Sequence, residues 1–529
     1  MHHAATNHPD NIALLFEPSG RRITYGELER GANRAAHALR AAGLRAGELL
    51  AIGMPNSFEL IQAFLGAARI GAYFTPLPSK GSAADLCYLV RDSEARLLVA
   101  DQHLSALSGL RPLLRESIPI PLYVHGSAEP ADLSWDALVA AQSSDLPADL
   151  RPGREMLYSS GSTGRPKGVR KPAFTGAWDA PDPRNVPLAR DTALDEDSIF
   201  LSTSPLYHSA PLRFLQAALS RGATCIVMEH FEAELALQCI ERHRCTHSLW
   251  VPTMFHRLLR LEHSVRARYD VCSMREAVHG AAPCSVHVKE AMIDWWGPVL
   301  SEYYSGTEGV GSTWITAEEW LQHKGSVGMA ATAHILDEEG QELPLGETGT
   351  VYFEGAAEFS YWKDSEKTKA ASSPQGWRTF GDIGYLDAQR YLYLTDRRDF
   401  MLISGGVNIY PQEVESALLE HPLVADVAAF GVPDDDLGES LVAVVQLESG
   451  ESPAADTAAE LQRWCQNRLG RIKTPKKVRF VLRLPRLETG KLHKKRLREA
   501  YLEDALESLA PPFREQSSAL ENGAAASSH

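Results

Sequence analysis

The run Tyr158-Ser159-Ser160-Gly161-Ser162-Thr163-Gly164-Arg165-Pro166-Lys167-Gly168 gathers hydroxyls, glycines and a single lysine into one loop-forming stretch. Glycine lets the backbone approach an anion and aim its N–H groups inward, the hydroxyls add donors, and Lys167 adds a compact positive charge. Such a loop suits a polyphosphate. It is not a Walker A loop, which needs Gly-Lys-Ser/Thr at its end, because Pro166 precedes Lys167 and Gly168 follows it. Ser/Gly-rich stretches also serve as plain linkers, so the remaining motifs decide.

Four further segments follow in order. Gly280-Ala281-Ala282-Pro283 closes a strand pattern with small residues that permit close backbone approach. Tyr303-Tyr304-Ser305-Gly306-Thr307-Glu308-Gly309 offers an aromatic face for a base and a carboxylate, and Mg²⁺ favours one or two carboxylates beside phosphate oxygens. Gly376-Trp377-Arg378-Thr379-Phe380-Gly381-Asp382 is answered by Asp396-Arg397-Arg398-Asp399, and a carboxylate such as Asp382 accepts two hydroxyl protons well. Leu484-Pro485-Arg486-Leu487-Glu488-Thr489-Gly490-Lys491 ends on a lysine. Each motif alone has a bland alternative: a turn, a surface ion pair or a solvated basic helix start.

In this order the segments resemble the adenylate-forming superfamily of acyl-CoA synthetases, luciferases and nonribosomal-peptide adenylation domains, over residues 10 to 500. The resemblance implies that Ser159 to Gly164 and Lys167 hold the ATP phosphates and that Gly280, Ala281 and Ala282 flank adenine. Tyr304 would stack on adenine, Thr307 contact the α-phosphate and Glu308 ligate Mg²⁺. Asp382 would bind the ribose hydroxyls and Arg397 the ribose or a phosphate. Lys491 would bridge the carboxylate and the α-phosphate during adenylation. The family commonly has Gly where Ser305 stands; Asp399 falls on its hinge, and Phe400 replaces the usual acid one residue later.

Ser404-Gly405-Gly406-Val407-Asn408-Ile409-Tyr410-Pro411 resembles the CoA-ligase branch, in which Ser404, Gly405 and Gly406 would line the thiol channel. Tyr207-His208 matches the position of an aromatic residue or histidine beside the substrate carboxylate, so His208 is expected to orient the acid or gate the thiol. Amino-acid-activating relatives carry an acid for the α-amine in the segment corresponding to Ser202-Thr203-Ser204-Pro205-Leu206-Tyr207, and none is present here. An uncharged alkyl, aryl or bulky polycyclic tail is expected, with Phe214, Trp250, Pro252, Met254, Ser305 and Gly306 as candidate pocket residues. The expected reaction forms acyl-AMP and pyrophosphate, then acyl-CoA and AMP. Loading of a separate carrier protein and a degenerate nucleotide-binding regulator are the alternatives.

The elements that must position these residues read as an α/β fold. Apolar runs at Leu49–Gly53, Ile199–Thr203, Thr224–Met228 and Thr246–Val251 alternate with helical patterns at Ser209–Ser220 and Glu232–Arg242, which predicts parallel sheets flanked by helices. Asn56, with Glu59 three residues on, reads as a capping box opening a helix to Ile70. Pro172 to Asp197 reads as an irregular excursion. Beyond Asp396 the pattern predicts a small α+β domain, which the resemblance implies is mobile, with helices at 411–420 and 456–469 and strands at 424–432, 440–447 and 477–484. The expected domains are 1–395, a hinge at 396–400, 401–505, and a disordered tail over 506–529.

The chain has 529 residues, 44% hydrophobic and 23% charged, enough for two or more domains. A net charge of −15 disfavours a nucleic-acid surface. Seven cysteines without a Cys-x-x-Cys pair, no signal-like start and no run of about 18 apolar residues point to the cytoplasm without a membrane span. Cys239, His243, Cys245 and His247 do not match zinc spacing and read as structural.

Overall fold

The computed structural model describes residues 1–126, 129–130, 132–159, 166–180, 185–398, 400–404, 407–448, 453–486, 492 and 494–506. The chain divides into two compact units, a larger one over Met1–Asp399 and a smaller one over Phe400–Leu487 with the residues from Leu492.

In the larger unit, apolar runs become buried parallel strands because both faces of each sheet are covered. One sheet has eight strands in the order Ser312–Thr316, Leu300–Ser305, Glu276–Gly280, His247–Trp250, Ile199–Ser202, Thr224–Met228, Ile12–Glu17 and Arg22–Thr24. Its six inner strands are parallel, and the two edges pair antiparallel. From Ile199–Ser202 the chain steps to Thr224–Met228 on one side, then to His247–Trp250 on the other. That reversal makes a topological switch point, where the carboxyl ends of the strands leave a crevice for a ligand. The segment Thr203–His208 emerges at this point.

A second, six-stranded sheet is wholly parallel, in the order Leu133–Ser134, Leu122–His125, Leu97–Asp101, Leu49–Gly53, Tyr73–Pro76 and Arg154–Glu155. Helices Tyr25–Ala41, Phe58–Arg69 and Ser209–Arg221 contribute to one hydrophobic core that draws residues from both sheets. A Cβ on Gly66 would lie 2.6 Å from that of Ala35, so glycine is what lets the first two of these helices touch. A third, antiparallel region holds the strands Ser326–Met329, Tyr391–Arg397, Asp382–Leu386, Gly349–Phe353 and Ala333–Leu336. Beside it in sequence and core, Ser360–Tyr361, Lys167–Arg170 and Leu157–Ser159 form a three-stranded sheet.

The smaller unit is a sheet of Val407–Ile409, Leu402–Ser404, Gly438–Leu447 and Val424–Asp434, with Lys477–Phe480 added in parallel to Gly438–Leu447. Period-two alternation covers both faces. Val427, Ala429, Leu441, Ala443 and Val445 enter one core, while Ala428, Phe430, Val432, Val442 and Val444 enter the other. Helices Pro411–Leu419, Thr457–Leu469 and Lys494–Leu502 complete the unit. Among the described residues, no helix is long and apolar enough to cross a membrane.

Three expectations are corrected. Ser57, not Asn56, caps the helix Phe58–Arg69, its hydroxyl accepting from Leu60 N–H. The 172–197 stretch contains the helix Asn185–Asp191, and the last strand ends at Phe480.

Asn56 is buried and bridges the two parallel sheets. Its amide donates to the carbonyls of Ser204 at 3.2 Å and Met228 at 2.9 Å, and its oxygen accepts from Leu206 N–H at 2.8 Å. The loop after one sheet thereby fixes the crevice at the switch point of the other. Replacing Asn56 with Ala strands two carbonyls and an N–H, and is expected to cost roughly 2–4 kcal/mol in urea unfolding, with near-parental stability as the contrary result.

Candidate active site

The polyphosphate loop is mounted on a hairpin. Leu157–Ser159 pairs antiparallel with Lys167–Arg170, placing Ser159 opposite Lys167, while Ser160, Gly161, Ser162, Thr163, Gly164 and Arg165 lie outside the described residues. The feet of the hairpin are tied down by phenols. Tyr88 Oη donates to the Pro166 carbonyl at 3.0 Å, and Tyr158 Oη donates to Asp92 Oδ2 at 2.8 Å. Lys167 Nζ lies 3.1 Å from Asp364 Oδ2, and hydrogen bonding to that carboxylate raises the ammonium pKa despite some desolvation. The other Asp364 oxygen accepts from Lys367 N–H and so caps the helix Ser365–Ala370.

At the carboxyl end of Glu276–Gly280, a Cβ on Gly280 would sit 2.4 Å from the Tyr303 carbonyl oxygen on the neighbouring parallel strand. Glycine is required there by backbone contact. Ala281 follows at φ +69°, so the turn Gly280-Ala281-Ala282 bends sharply out of the sheet. The next strand, Leu300–Ser305, alternates faces. Tyr303 packs edge-on to Phe214 in the core with centroids 5.9 Å apart, and Tyr304 turns to Phe380 at 5.7 Å and Phe353 at 6.3 Å.

Tyr304 Oη donates to Asp382 Oδ2 at 2.6 Å, while Arg397 Nε lies 3.0 Å from Asp382 Oδ1. Asp382 and Arg397 face each other across paired antiparallel strands. Burial, with the Asp382 charge second, pushes the Tyr304 phenol well above its ordinary range, so it stays a donor. Residues from two of the sequence motifs thus form one hydrogen-bonded group.

Glu308 lies in the loop after Tyr304 and is 9% exposed. Its Oε1 accepts from Tyr361 Oη at 2.8 Å. Gly306 permits this compact loop, since a Cβ there would be 2.5 Å from the Phe380 ring and 2.9 Å from Glu308 Oε2. Thr307 lies between these two residues and is half-buried. Ser305 turns its hydroxyl to the Gly311 carbonyl at 2.7 Å, closing the loop.

His208 stands at the N-cap of Ser209–Arg221, its ring 4.0 Å from that of Tyr207, just past the segment fixed by Asn56. Phe214 and Trp250 are fully buried; Trp250 packs on Phe255 and Trp296 and donates its indole N–H to Ser248 Oγ at 2.6 Å. Met254 takes a hydrogen bond on sulfur from Thr203 at 3.3 Å, and Pro252 is buried at the first turn of Pro252–Leu259. These four side chains fill the layers behind the crevice because strand and helix periodicity turn them inward.

Ser404 ends the strand Leu402–Ser404 in the smaller unit, opposite Val407 and Gly438. Asp399, Gly405, Gly406 and Lys491 lie outside the described residues. His243 bonds Glu17 Oε1 at 2.7 Å, and His247 bonds the Thr192 carbonyl at 2.8 Å. Cys239 is buried, with its thiol pushed up to about 12 mainly by desolvation, and the Cys245 thiol is pushed up as well. These four groups serve packing and structural hydrogen bonds. Sequence reading missed Asn56 as a bridge and Tyr361 and Asp364 as partners of Glu308 and Lys167. Only Asp364, three residues before Lys367, leaves a helix-cap signature that reveals it in advance.

The description "AMP-binding enzyme" matches residues 1–361, and "AMP-binding enzyme C-terminal domain" matches residues 413–491. A sulfoacetate–CoA ligase of Cupriavidus necator is 32% identical over 504 residues, spanning 93% of this chain and 95% of its own. A feruloyl-CoA synthase of an Amycolatopsis species is 31% identical over 496 residues, spanning 92% and 96%. Among solved structures, ATP-bound MatB from Rhodopseudomonas palustris aligns with a TM-score of 0.80 at 28% identity over 94% of this chain and 97% of its own. The o-succinylbenzoate CoA synthetase of Bacillus subtilis, holding its acyl-adenylate intermediate, aligns at 0.78 and 27% identity over the same shares, 94% and 97%.

The chain belongs to the adenylate-forming superfamily, in its acyl-CoA synthetase branch. It is an AMP-forming acid–thiol ligase, with a carboxylic acid, ATP and CoA as substrates.

The Gly280 contact yields a paired test. Gly280→Ala drives a Cβ into backbone that moves only by parting two strands, so it is expected to reduce kcat/KM for ATP at least tenfold, roughly 1.4 kcal/mol or more. Ala281→Gly relieves a positive φ and is expected to leave both activity and melting temperature near parental. Equal tolerance of the two changes contradicts this account of the turn.

Proposed function

We propose that the crevice at the switch point binds Mg·ATP and activates a hydrophobic carboxylic acid, alkyl, aryl or polycyclic, for transfer to CoA. The supporting observation is the Tyr304–Asp382–Arg397 group beside Glu308, all in the larger unit near the strand ends. Tyr304 presents its ring to adenine, and Asp382 accepts from the ribose hydroxyls. A carboxylate has lone pairs enough to do so while still bonded to Tyr304 and Arg397. Lys167 and the loop before it take the phosphates, Thr307 the α-phosphate. Gly280, Ala281 and Ala282 supply a flat backbone edge to the base.

Glu308 fits a hard divalent cation. It is a buried carboxylate with a hydroxyl donor on one oxygen and no ion pair among the described residues. When bound, Mg²⁺ offsets phosphate charge. His208, held at the mouth of the crevice, orients the substrate carboxylate. One carboxylate oxygen attacks the α-phosphorus, and the P–O bond to pyrophosphate breaks with its electron pair leaving on pyrophosphate. Lys491 neutralises the charge that builds at phosphorus.

The second half-reaction follows a swing of the smaller unit about Asp399, within the 396–400 hinge. Ser404, Gly405 and Gly406 then line the pantetheine channel, where small residues leave room for the thiol arm. The CoA thiolate attacks the acyl carbonyl, and AMP departs with the C–O electron pair. The hydrophobic tail rests on this chain's own residues, because Ser202 to Tyr207 carries no acid to hold an α-amine. The acids named for its relatives range from sulfoacetate to ferulate and long-chain fatty acids. All seven cysteines are free thiols, in keeping with the reducing cytoplasm proposed as its compartment.

Two measurements test this reading. Mass spectrometry of products from enzyme, Mg·ATP, CoA and a pooled panel of acids is expected to show acyl-CoA and AMP from hydrophobic members. Turnover confined to amino acids or sulfonated acids overturns the substrate class, and adenylate without acyl-CoA shifts the acceptor to a carrier protein. Lys491→Ala is expected to slow adenylate formation by about 10²-fold or more, yet still convert supplied acyl-adenylate and CoA to thioester. Equal loss of both half-reactions contradicts the domain swing.

A further inference from the structure

The loop that carries Glu308 and the strand that leaves the polyphosphate loop come from distant parts of the chain, and one side chain joins them. Tyr361 lies on the short strand Ser360–Tyr361, which pairs antiparallel with Lys167–Arg170 and sets Tyr361 opposite Val169, two residues after Lys167. From that position its hydroxyl donates to Glu308 Oε1 at 2.8 Å. We propose that Tyr361 is a positioning residue: its hydroxyl fixes the Glu308 carboxylate so that the remaining oxygen faces a divalent cation at the nucleotide phosphates. The inference rests on the reading of Glu308 as the cation's carboxylate and adds a residue to it.

The hydroxyl is held by everything around the ring. Tyr361 is 6% exposed, its backbone N–H donates to Thr368 Oγ1 at 3.0 Å, and its ring meets Phe359 edge-on with centroids 5.4 Å apart. The ammonium of Lys367 lies 4.4 Å from the ring centroid. Lys367 also supplies the backbone N–H that Asp364 caps, and Asp364 pairs with Lys167. The hairpin beneath the phosphates, the short strand and the helix Ser365–Ala370 are therefore one hydrogen-bonded assembly, and Tyr361 extends it to Glu308. A free carboxylate rotates about its χ angles and presents either oxygen. A hydroxyl on one oxygen removes that freedom and leaves the other in a defined direction, the usual function of a hydrogen bond behind a metal-binding carboxylate. Gly306 keeps space open beside the second oxygen, where a Cβ would stand 2.9 Å from Oε2.

The test compares Tyr361→Phe, which keeps the ring, with Glu308→Gln. Mn²⁺ binding in the presence of a non-hydrolysable ATP analogue is read by electron paramagnetic resonance, and AMP binding by calorimetry reports whether the cleft is intact. Tyr361→Phe is expected to weaken Mn²⁺ about tenfold to a hundredfold. AMP affinity should be unchanged, because AMP needs no cation bridging a polyphosphate. Mn²⁺ binding unchanged in Tyr361→Phe but lost in Glu308→Gln removes Tyr361 from the site and leaves Glu308 in place. If neither variant alters Mn²⁺ binding, both assignments fall. Parallel loss of AMP and Mn²⁺ in Tyr361→Phe shows a general packing role and overturns the positioning role.

Discussion

A buried carboxylate shared between a phenol and a guanidinium holds the nucleotide cleft together. Asp382 stands on an antiparallel strand, Tyr304 on the parallel sheet, and Arg397 on the last strand before the smaller unit. The parallel sheet is built from continuous apolar runs, whereas the antiparallel region packs around Val351, Phe353 and Leu392. The two regions also share packing, since Tyr391 joins the cluster that holds Leu300, Ile315 and Trp320, and Tyr304 packs against the cluster of Val351 and Phe353. Hydrogen bonds to a charged group contribute about 1.5–3 kcal/mol each, and a charge stripped of its donors costs several times more. The sheets are held together at the site proposed for the nucleotide. Asn56 does the same for the acid side with uncharged groups, joining the carboxyl ends of both parallel sheets.

The parallel architecture was legible because a strand covered on both faces cannot hide its composition. Leu49 to Gly53 and Thr224 to Met228 are continuous apolar runs, and the structure keeps their boundaries. The small unit was legible through period-two alternation. Asn56 was misread for a physical reason: Asn, Ser and Glu near a helix start satisfy a capping pattern whichever of them accepts the N–H, and Ser57 wins because the Asn56 amide is engaged across the sheets.

The acyl wall was less legible than the nucleotide site. Trp250 and Phe214 are the residue types that line pockets, and also those that fill the layer between helices and sheet. Only their facing separates the two uses. Trp250 lies within a cluster of Phe231, Phe255 and Trp296, and Phe214 lies between Phe200 and Tyr303. Polar motifs are more specific as signals, because an aromatic, a glycine and a carboxylate within five residues, as in Tyr304 to Glu308, have few structural uses at that spacing.

Two carboxylates of similar burial, Asp382 and Glu308, differ in the donors they meet. Asp382 has a donor on each oxygen, so its charge is largely spent and its remaining lone pairs suit neutral hydroxyls, which add little electrostatic demand. Glu308 has a neutral hydroxyl on one oxygen and no cation of its own among the described residues. On the proposed reading, the cation that accompanies the phosphates would meet Glu308 at its second oxygen. Arg397 pairs with Asp382 and Lys167 with Asp364, whereas Glu308 has only a neutral hydroxyl donor among the described residues. A cleft that works in the proposed way would favour the nucleotide together with its metal over either alone, coupling phosphate recognition to the charge neutralisation that attack at phosphorus requires.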